Sequence, residues 1–179
     1  GILQPLVESQ ILVEEGKTLC RVGRRASVLA FNPRTCLAAG VVVDQEECEV
    51  ALVDLSARVI DHVIFHYPRY TGPLEVVEQA AACLSAMVKR NHVDAQPLLG
   101  IGVAIPGLVD SDSGLVYVAT NLGWHNVQVR ALFEQKTGLR TRIEHLGRAK
   151  ARAEATWGKG AGHKSFVCLE IGSGLGAGV

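Results

Sequence analysis

The chain has no excess of charge of either sign, because 18 Lys and Arg balance 18 Asp and Glu among 179 residues. Bulk electrostatics therefore indicates neither a nucleic acid nor a membrane surface as partner, although a local basic cluster could still contact DNA. The chain also has no apolar run approaching the roughly 20 residues of a membrane span. Its first residues lack the charged-then-apolar pattern of a signal peptide. We expect a cytoplasmic protein that makes no membrane contact.

The chain also lacks the CxxC spacing that is typical of zinc sites and redox motifs. Its cysteines are odd in number and scattered, so we expect reduced, mostly buried thiols and no metal site built from them. They are Cys20, Cys36, Cys48, Cys83 and Cys168. By contrast, 48% hydrophobic and 20% charged residues are typical of a core-forming chain, with one ordinary domain or two small lobes.

Hydrophobic periodicity predicts an α/β fold. Three β-rich runs in succession indicate antiparallel strands, and strands then alternate with helices, which is a mixed α/β order. The predicted elements are strands at 36–44, 47–55 and 58–68, a helix opening at Thr71-Gly72-Pro73, a strand at 98–106, an extended run at 114–122, a helix from Val127 to Thr137, a strand at 140–145, a helix from Arg148 to Trp157 and a strand at 165–172.

Glycines at alternate positions follow the last predicted strand. So spaced, they let backbone N–H groups approach a phosphate without a Cβ in the way, which predicts a phosphate loop. In the first strand pair, however, Glu46 and Glu47 occupy the turn where such a frame needs glycine, and two carboxylates repel a polyphosphate. We therefore interpret the loop as vestigial, in a protein that keeps the shape of a kinase and has lost the phosphate-transfer reaction. Its glycines are Gly172, Gly174, Gly176 and Gly178.

Several segments resemble the ROK family of sugar kinases and transcriptional repressors. The most specific is PGLVDSDSGLVYVATNLGW followed by ALFEQKTGL, whereas the glycine loop alone is a weak signal. The others are GVVVDQEECEVALVDL, RIEHLGRAKARAEATWGKG and LEIGSGLGAGV. The resemblance covers nearly the whole chain. It implies an actin-like, two-lobed sugar-kinase fold of the ribonuclease H-like type, of which this chain holds mainly the N-terminal lobe.

The first residues resemble the repressor branch of the family, of the N-acetylglucosamine repressor type. ILQPLVESQILVEEG and VGRRASVLAFNP resemble the later part of a winged helix-turn-helix with its wing and linker, which family kinases do not have. We predict three parts: a partial winged helix at 1–34, the N-terminal lobe at 35–143 and the start of the second lobe at 144–179. The resemblance also implies a longer protein, with the family's zinc-binding cluster beyond these residues and no cofactor within them.

Two kinase motifs of the family are replaced. Asp44-Gln45-Glu46-Glu47-Cys48 stands where the kinases have Asp-x-Gly-Gly-Thr, so we expect ATP binding to fail. His145-Leu146 stands where they have Asn-Asp, whose Asp is the general base. Leucine cannot accept a proton, which predicts a protein without kinase activity. The alternative is a specialised sugar kinase that uses His145 as base, since histidine titrates near neutral pH.

Sugar recognition is the second function that the resemblance implies. Gly107, Thr120, Asn121 and His145 match positions that contact hexose hydroxyls in the family, and we add the neighbouring carboxylate of Glu144 to this candidate effector site. A plain interpretation also stands, in which Pro-Gly ends a strand and Thr-Asn forms a turn. The loss of Asn-Asp removes two family contacts, so the sequence leaves sugar or sugar-phosphate sensing open.

The residues Gly23-Arg24-Arg25 are the candidate DNA contact. Arginines at a hairpin tip can reach phosphates or enter the minor groove, although an exposed pair is also typical of a solvated turn. The resulting hypothesis is a homodimeric, sugar-sensing transcriptional regulator of carbohydrate-related genes. Its alternatives are the sugar kinase and an interaction module that is controlled by a protein partner instead of a sugar.

Overall fold

The computed structural model describes residues 3–17, 27–93, 97–171 and 175–179. The helices in these ranges are α1 (Gln4–Glu8), α2 (Pro73–Arg90), α3 (Val129–Thr137) and α4 (Leu146–Trp157). The strands are β1 (Leu12–Lys17), β2 (Ser27–Phe31), β3 (Leu37–Val43), β4 (Glu47–Asp54), β5 (Val59–His66), β6 (Leu98–Ile105), β7 (Leu108–Asp110), β8 (Leu115–Ala119), β9 (Trp124–Gln128), β10 (Thr141–His145), β11 (Cys168–Ile171) and β12 (Leu175–Gly178).

A five-stranded mixed sheet in the order β10-β6-β3-β4-β5 forms the centre of the fold. Strands β3, β4 and β5 are antiparallel neighbours, as the three successive β-rich runs predict, and β6 and β10 run parallel to β3. Every second residue of β3 and β4 is buried, since successive side chains of a strand point to opposite faces. The prediction of an α/β fold is confirmed.

Helix α2 covers one face of this sheet. Pro73 stands in its first turn and Glu75 near its positive end, where each is favourable. At the other end, Arg90 donates from Nε and Nη2 to the two carboxylate oxygens of Asp61 on β5, at 2.5 and 2.6 Å. The hydrogen bond from Arg90 lowers the pKa of Asp61 to about 2. The buried residues of α2 are Val76, Val77, Ala80, Leu84 and Met87.

The segment between β6 and β10 differs from the prediction. A three-stranded antiparallel sheet β7-β8-β9 replaces the single extended run, and α3 begins at Val129 instead of Val127. The reason is the burial of Trp124, which pairs across from Ala119 and donates from Nε1 to the carbonyl of Thr71 at 2.9 Å. These tertiary contacts hold residues 124–128 extended, although the predicted helix began at Val127.

The last elements also correct the prediction. Helix α4 begins at Leu146 instead of Arg148, and Gly176 and Gly178 lie in strand β12, which pairs with β11, and not in a loop. A Cβ at residue 178 would lie 2.0 Å from the carbonyl oxygen of Gly147 in α4. Gly178 therefore serves the close packing of α4 on β12. Gly172 and Gly174 lie outside the described residues.

The N-terminal segment forms helix α1, none of whose residues is buried, and the antiparallel pair β1-β2. Asn32 Nδ2 and Thr35 Oγ1 donate to the carbonyl of Gln10 at 2.9 and 2.7 Å and join the ends of this segment. Gly23, Arg24 and Arg25 lie outside the described residues, so the predicted DNA contact stays a prediction. Among the described helices, none is long and apolar enough to cross a membrane.

Candidate functional site

A cavity of about 260 Å³ lies at the carboxyl ends of the three parallel strands. Asp44 follows β3, Gly107 follows β6 and His145 ends β10, so one sheet edge brings together residues far apart in the sequence. Ligands of open α/β sheets bind outside this edge. Strands β11 and β12 supply the opposite wall. The lining residues are Asp44, Pro106, Gly107, Asn121, His145, Leu146, Gly147, Glu170, Leu175 and Gly176.

The cavity contains some of the predicted site residues and excludes others. Gly107, Asn121 and His145 of the predicted effector site line it together with Gly176 of the predicted phosphate loop. Thr120 is exposed and does not line the cavity, although it precedes Asn121 in the same turn.

Glu144 does not line the cavity either. Its Oε1 accepts hydrogen bonds from Ser111 Oγ at 3.1 Å and from Arg148 Nε at 2.8 Å. Neighbouring residues of a strand point to opposite faces, and His145 and Glu144 accordingly diverge. Glu144 therefore has a structural role, as the hydrogen-bond acceptor for Ser111 and Arg148.

Gly107 shapes the wall between β6 and β7. Its φ of +105° is in the region that favours glycine, and a Cβ there would lie 2.2 Å from the carbonyl oxygen of Val118 and 2.8 Å from Cα of Ala119. Glycine is therefore required for the chain to leave β6 and lie directly against β8. This contact fixes the distance between the two ends of the β7-β8 hairpin that face the cavity.

The turn after β3 is held by hydrogen bonds within the protein. The Asp44 N–H donates to the Glu47 carbonyl at 2.9 Å, and the Gln45 N–H donates to Asp44 Oδ1 at 2.7 Å. The Tyr67 hydroxyl donates to the Asp44 carbonyl, and burial raises the pKa of Tyr67. Strand β4 begins at Glu47, so only Asp44 to Glu46 lie between the strands. Two of the turn's N–H groups are thus already bonded, and a phosphate would find few free donors.

His145 is the residue before α4, with an extended backbone, and its N–H donates to Glu144 Oε1 at 2.8 Å. Leu146, for which the resemblance implied the position of the family's general base, is 6% exposed and lines the cavity. The groups in the cavity that can accept a proton are His145 and the carboxylates of Asp44 and Glu170.

The chemistry of the cavity suits hydroxyl groups. The carboxylates of Asp44 and Glu170, the amide of Asn121 and the imidazole of His145 can each bond a hydroxyl. Lys150 Nζ contacts Glu170 Oε1 beside the cavity, while the described lining residues include no Lys or Arg. Neither Glu170 nor Lys150 is among the site residues predicted from the sequence. The one sequence signal for Glu170 is that it is an acidic residue within the otherwise apolar run from Val167 to Ile171.

A larger open groove of about 550 Å³ lies elsewhere, over Gly100 and Gly102 of β6. None of the predicted site residues lines it, so we assign the candidate site to the smaller cavity. Within the described ranges, no group of three or more His, Cys, Asp or Glu side chains could hold a metal ion.

The fold and the position of the cavity define a protein of the actin-like sugar-kinase class. Residues 38–179 match the model of the ROK family, and the chain belongs to that family. A structure of a ROK family transcriptional regulator, a homologue of the Escherichia coli MLC protein, covers 98% of this chain with a TM-score of 0.76. This chain spans 44% of it at 20% identity, which is a likeness of fold.

The curated relatives include regulators that align with the whole chain. The xylose repressor of Caldicellulosiruptor bescii is 26% identical over 179 residues, which are 100% of this chain and 45% of that protein. The DNA-binding transcriptional dual regulator NagC of Escherichia coli strain K12 is 25% identical over 99% of this chain and 44% of its own length. The chain thus spans less than half of the regulators that it matches.

Kinases of the family match a shorter part. A ROK glucokinase from Streptomyces griseus, solved with glucose and AMPPNP, is 26% identical and covers 79% of this chain and 43% of itself, with a TM-score of 0.65. The resemblance to the ROK family and its repressors is therefore confirmed, as is the sugar-kinase type of fold. The winged helix at 1–34 and the domain boundaries stay predictions.

Proposed function

We propose that the intact protein is a ROK-type transcriptional regulator whose kinase-like domain binds a sugar and does not phosphorylate it. The observation that carries this proposal is the extent of the match. The regulators align with essentially all of the chain, including the residues before 38, whereas the glucokinase structure covers 79% of it. The replaced kinase motifs at Asp44 to Cys48 and at His145-Leu146 agree with a protein that retained the cleft and lost the reaction.

The cavity supports a sugar as the effector. Its volume of about 260 Å³ is below the range of roughly 300–1,000 Å³ typical of drug-sized ligands, which favours a monosaccharide. Asn121 and His145 supply a donor and acceptors for hydroxyls, and Gly107 brings a backbone close without a side chain. Two named relatives are regulators of xylose and N-acetylglucosamine type, which supports a panel that begins with these sugars.

The mechanism that we propose is a change of the angle between the lobes. An effector in the cavity contacts the first lobe through Asn121 and the second through Glu170 and Gly176. Closure around it would change the spacing of two DNA-binding heads in a dimer, and operators are read at a fixed half-site spacing. Arg24 and Arg25 would contact the DNA backbone or minor groove.

Thermal unfolding of the intact protein tests the effector. The panel is D-xylose, glucose, N-acetylglucosamine, their phosphorylated forms, and ATP with magnesium. A ligand at about 100 times its dissociation constant stabilises the folded state by about 2.7 kcal/mol, which raises the melting temperature by several degrees. We expect such a shift with a sugar and none with ATP. If no sugar shifts the melting temperature and a protein partner is recovered specifically, the interaction module is supported instead.

Single variants distinguish the residues that line the cavity from a neighbouring residue that does not. We expect Asn121→Ala and His145→Ala each to abolish most of the sugar-dependent shift, because each removes a hydrogen-bonding group from the cavity. Thr120→Ala is the matched control, since Thr120 lies in the same turn and does not line the cavity. A loss with Thr120→Ala equal to that with Asn121→Ala would mean that the sugar extends to Thr120, as the motif match predicts.

The sugar kinase is the second candidate, and one observation favours it. Asp44, Glu170 and His145 meet in a single cavity, so groups able to take a proton are present. Transfer of phosphate from ATP to any hexose of the panel, lost in His145→Ala, would establish this function. We expect no transfer, because the turn after β3 carries Glu46 and Glu47 in place of glycines.

DNA binding is tested with Arg24→Ala/Arg25→Ala in the intact protein. Each lost phosphate contact reduces the slope of log affinity against log salt by about 1, so we expect a change of up to about 2. Arg34→Ala is the control, because Arg34 is an exposed arginine beyond β2. An unchanged slope in the double variant would remove these arginines from the DNA interface.

A further inference from the structure

One oxygen, Oε1 of Glu144, accepts three hydrogen bonds, one from a distant hairpin turn and two from residues that follow Glu144 closely in the chain. Ser111 Oγ donates from the turn between β7 and β8 at 3.1 Å, the His145 N–H donates from the end of β10 at 2.8 Å, and Arg148 Nε donates from α4 at 2.8 Å. Arg148 Nη2 also donates to Ser111 Oγ at 3.3 Å. The carboxylate therefore ties a hairpin turn to the corner where β10 becomes α4.

A second arginine holds the same turn from the other side. Arg130, in α3, donates from Nη2 to the Ser111 carbonyl and from Nη1 to the Asp112 carbonyl, each at 2.7 Å. We call Ser111, Arg130, Glu144 and Arg148 the hairpin clamp. Glu144 is the member that links the turn to His145, because it bonds both.

The hairpin reaches from this clamp to the cavity. Strand β7 has only three residues, and one end of it adjoins the clamped turn while the other follows Gly107. At about 3.4 Å per residue, the clamp lies roughly 10 Å from the cavity wall. Asn121 follows β8 at the same cavity end. A shift of the turn would therefore tilt the wall that carries Gly107 and Asn121 relative to His145.

The charge on Glu144 favours this arrangement. Partial burial acts to raise the pKa of Glu144, but the hydrogen bonds from the His145 N–H and Ser111 and the nearby Arg148 guanidinium outweigh it, and the pKa lies below its ordinary value. The side chain is 27% exposed, whereas that of Arg148 is 54% exposed. Solvent screens the Arg148 pair, so the less exposed bonds to His145 and Ser111 matter most.

We propose that Glu144 is a positioning residue that holds the β7-β8 hairpin and His145 in the relative orientation in which the cavity binds its effector. It does not touch the effector itself. The orientation follows from the described contacts alone, while the consequence for the effector rests on the proposed sugar-binding function.

Amide hydrogen exchange of the intact protein tests the positioning without any ligand. In Glu144→Gln we expect the His145 amide and the peptide 107–122 to exchange at least about tenfold faster, since their hydrogen bonds then end on a neutral amide oxygen instead of a charged carboxylate. Asp61→Asn is the matched control, because it also removes a carboxylate bonded to an arginine, but on β5, away from the cavity. We expect exchange in these segments to accelerate far less in Asp61→Asn than in Glu144→Gln, because Asp61 acts on them only through overall stability.

Ser111→Ala repeats the test with the negative charge of Glu144 retained. We expect a smaller acceleration of amide exchange, about threefold, confined to the hairpin. Unchanged exchange at 107–122 and His145 in both clamp variants would overturn the proposal. An acceleration of the same size in Asp61→Asn would also overturn it, because the effect would then be a general loss of stability.

Titration of the intact protein with D-xylose and N-acetylglucosamine tests the consequence. We expect Glu144→Gln to weaken the binding of whichever sugar the wild type binds by about tenfold, and Asp61→Asn to leave it unchanged. Unaltered affinity in Glu144→Gln would refute a positioning role. If neither sugar binds the wild type, the proposed function fails for these sugars, while the exchange measurement still decides the role of Glu144.

Discussion

Replacing Gly107 by alanine tests whether the cavity wall has the geometry described here. Two costs add at this position. A non-glycine residue in the left-handed region costs roughly 1–2 kcal/mol. A Cβ 2.2 Å from the Val118 carbonyl oxygen forces the backbone to move, which costs roughly 1–3 kcal/mol more. We therefore expect Gly107→Ala to lower the free energy of unfolding by about 2–5 kcal/mol.

Two glycines provide matched controls that separate these costs. Gly138 has a φ of +69° but open space around its Cβ position, so Gly138→Ala bears the conformational cost alone, about 1 kcal/mol. Gly40, in β3, has open space and no positive φ, so Gly40→Ala should be neutral or stabilising by about 0.5–1 kcal/mol. From the most to the least stable variant, the order should be Gly40→Ala, Gly138→Ala and Gly107→Ala.

Urea unfolding followed by circular dichroism measures all three variants against the wild type. A change in midpoint at constant slope reports stability alone. If Gly107→Ala costs no more than Gly138→Ala, the close approach of residue 107 to β8 is wrong, and with it the described shape of the cavity wall.

Further predictions concern the core, an ion pair and a thiol. Phe133→Ala should cost about 3–5 kcal/mol in the same urea assay, because Phe133 is 1% exposed; a cost near 1 kcal/mol would contradict its burial. Since Asp61 has a pKa of about 2 against an ordinary 3.8, its stabilising contribution is complete above about pH 4 and is lost as the pH falls toward 2. Asp61→Asn should therefore flatten the fall in melting temperature across this range, and an unaltered profile would count against the pair. Burial raises the pKa of Cys48 to about 12, so a thiol reagent at pH 8 should modify Cys168 well before Cys48, as peptide mass analysis would detect.

The sequence by itself determined three strands of the central sheet and the start of the helix that covers it. Three β-rich runs in succession at 36–68 predict β3, β4 and β5, and Thr71-Gly72-Pro73 predicts the start of α2. The resemblance to the ROK family also comes from the sequence alone, and the family match over 38–179 confirms it.

Other features were decided by contacts between distant residues. Residues 124–128 form a strand because Trp124 is buried near Thr71, which lies 53 positions earlier. Gly178 looks like part of a phosphate loop in the sequence, yet its lack of a side chain admits the Gly147 carbonyl of α4. No local pattern reports such a contact, since the partner lies in another element.

The cavity shows the same division. The motif match pointed to Gly107, Asn121 and His145. The parallel strands β6 and β10 bring Gly107 and His145 to one edge, and the β7-β8 hairpin brings Asn121 beside them. Strand alternation already places Glu144 and His145 on opposite faces, and only the tertiary structure shows that the partners of Glu144 are Ser111 and Arg148. A sequence fixes which face of a strand a residue occupies, whereas its partners on that face depend on how separate elements pack.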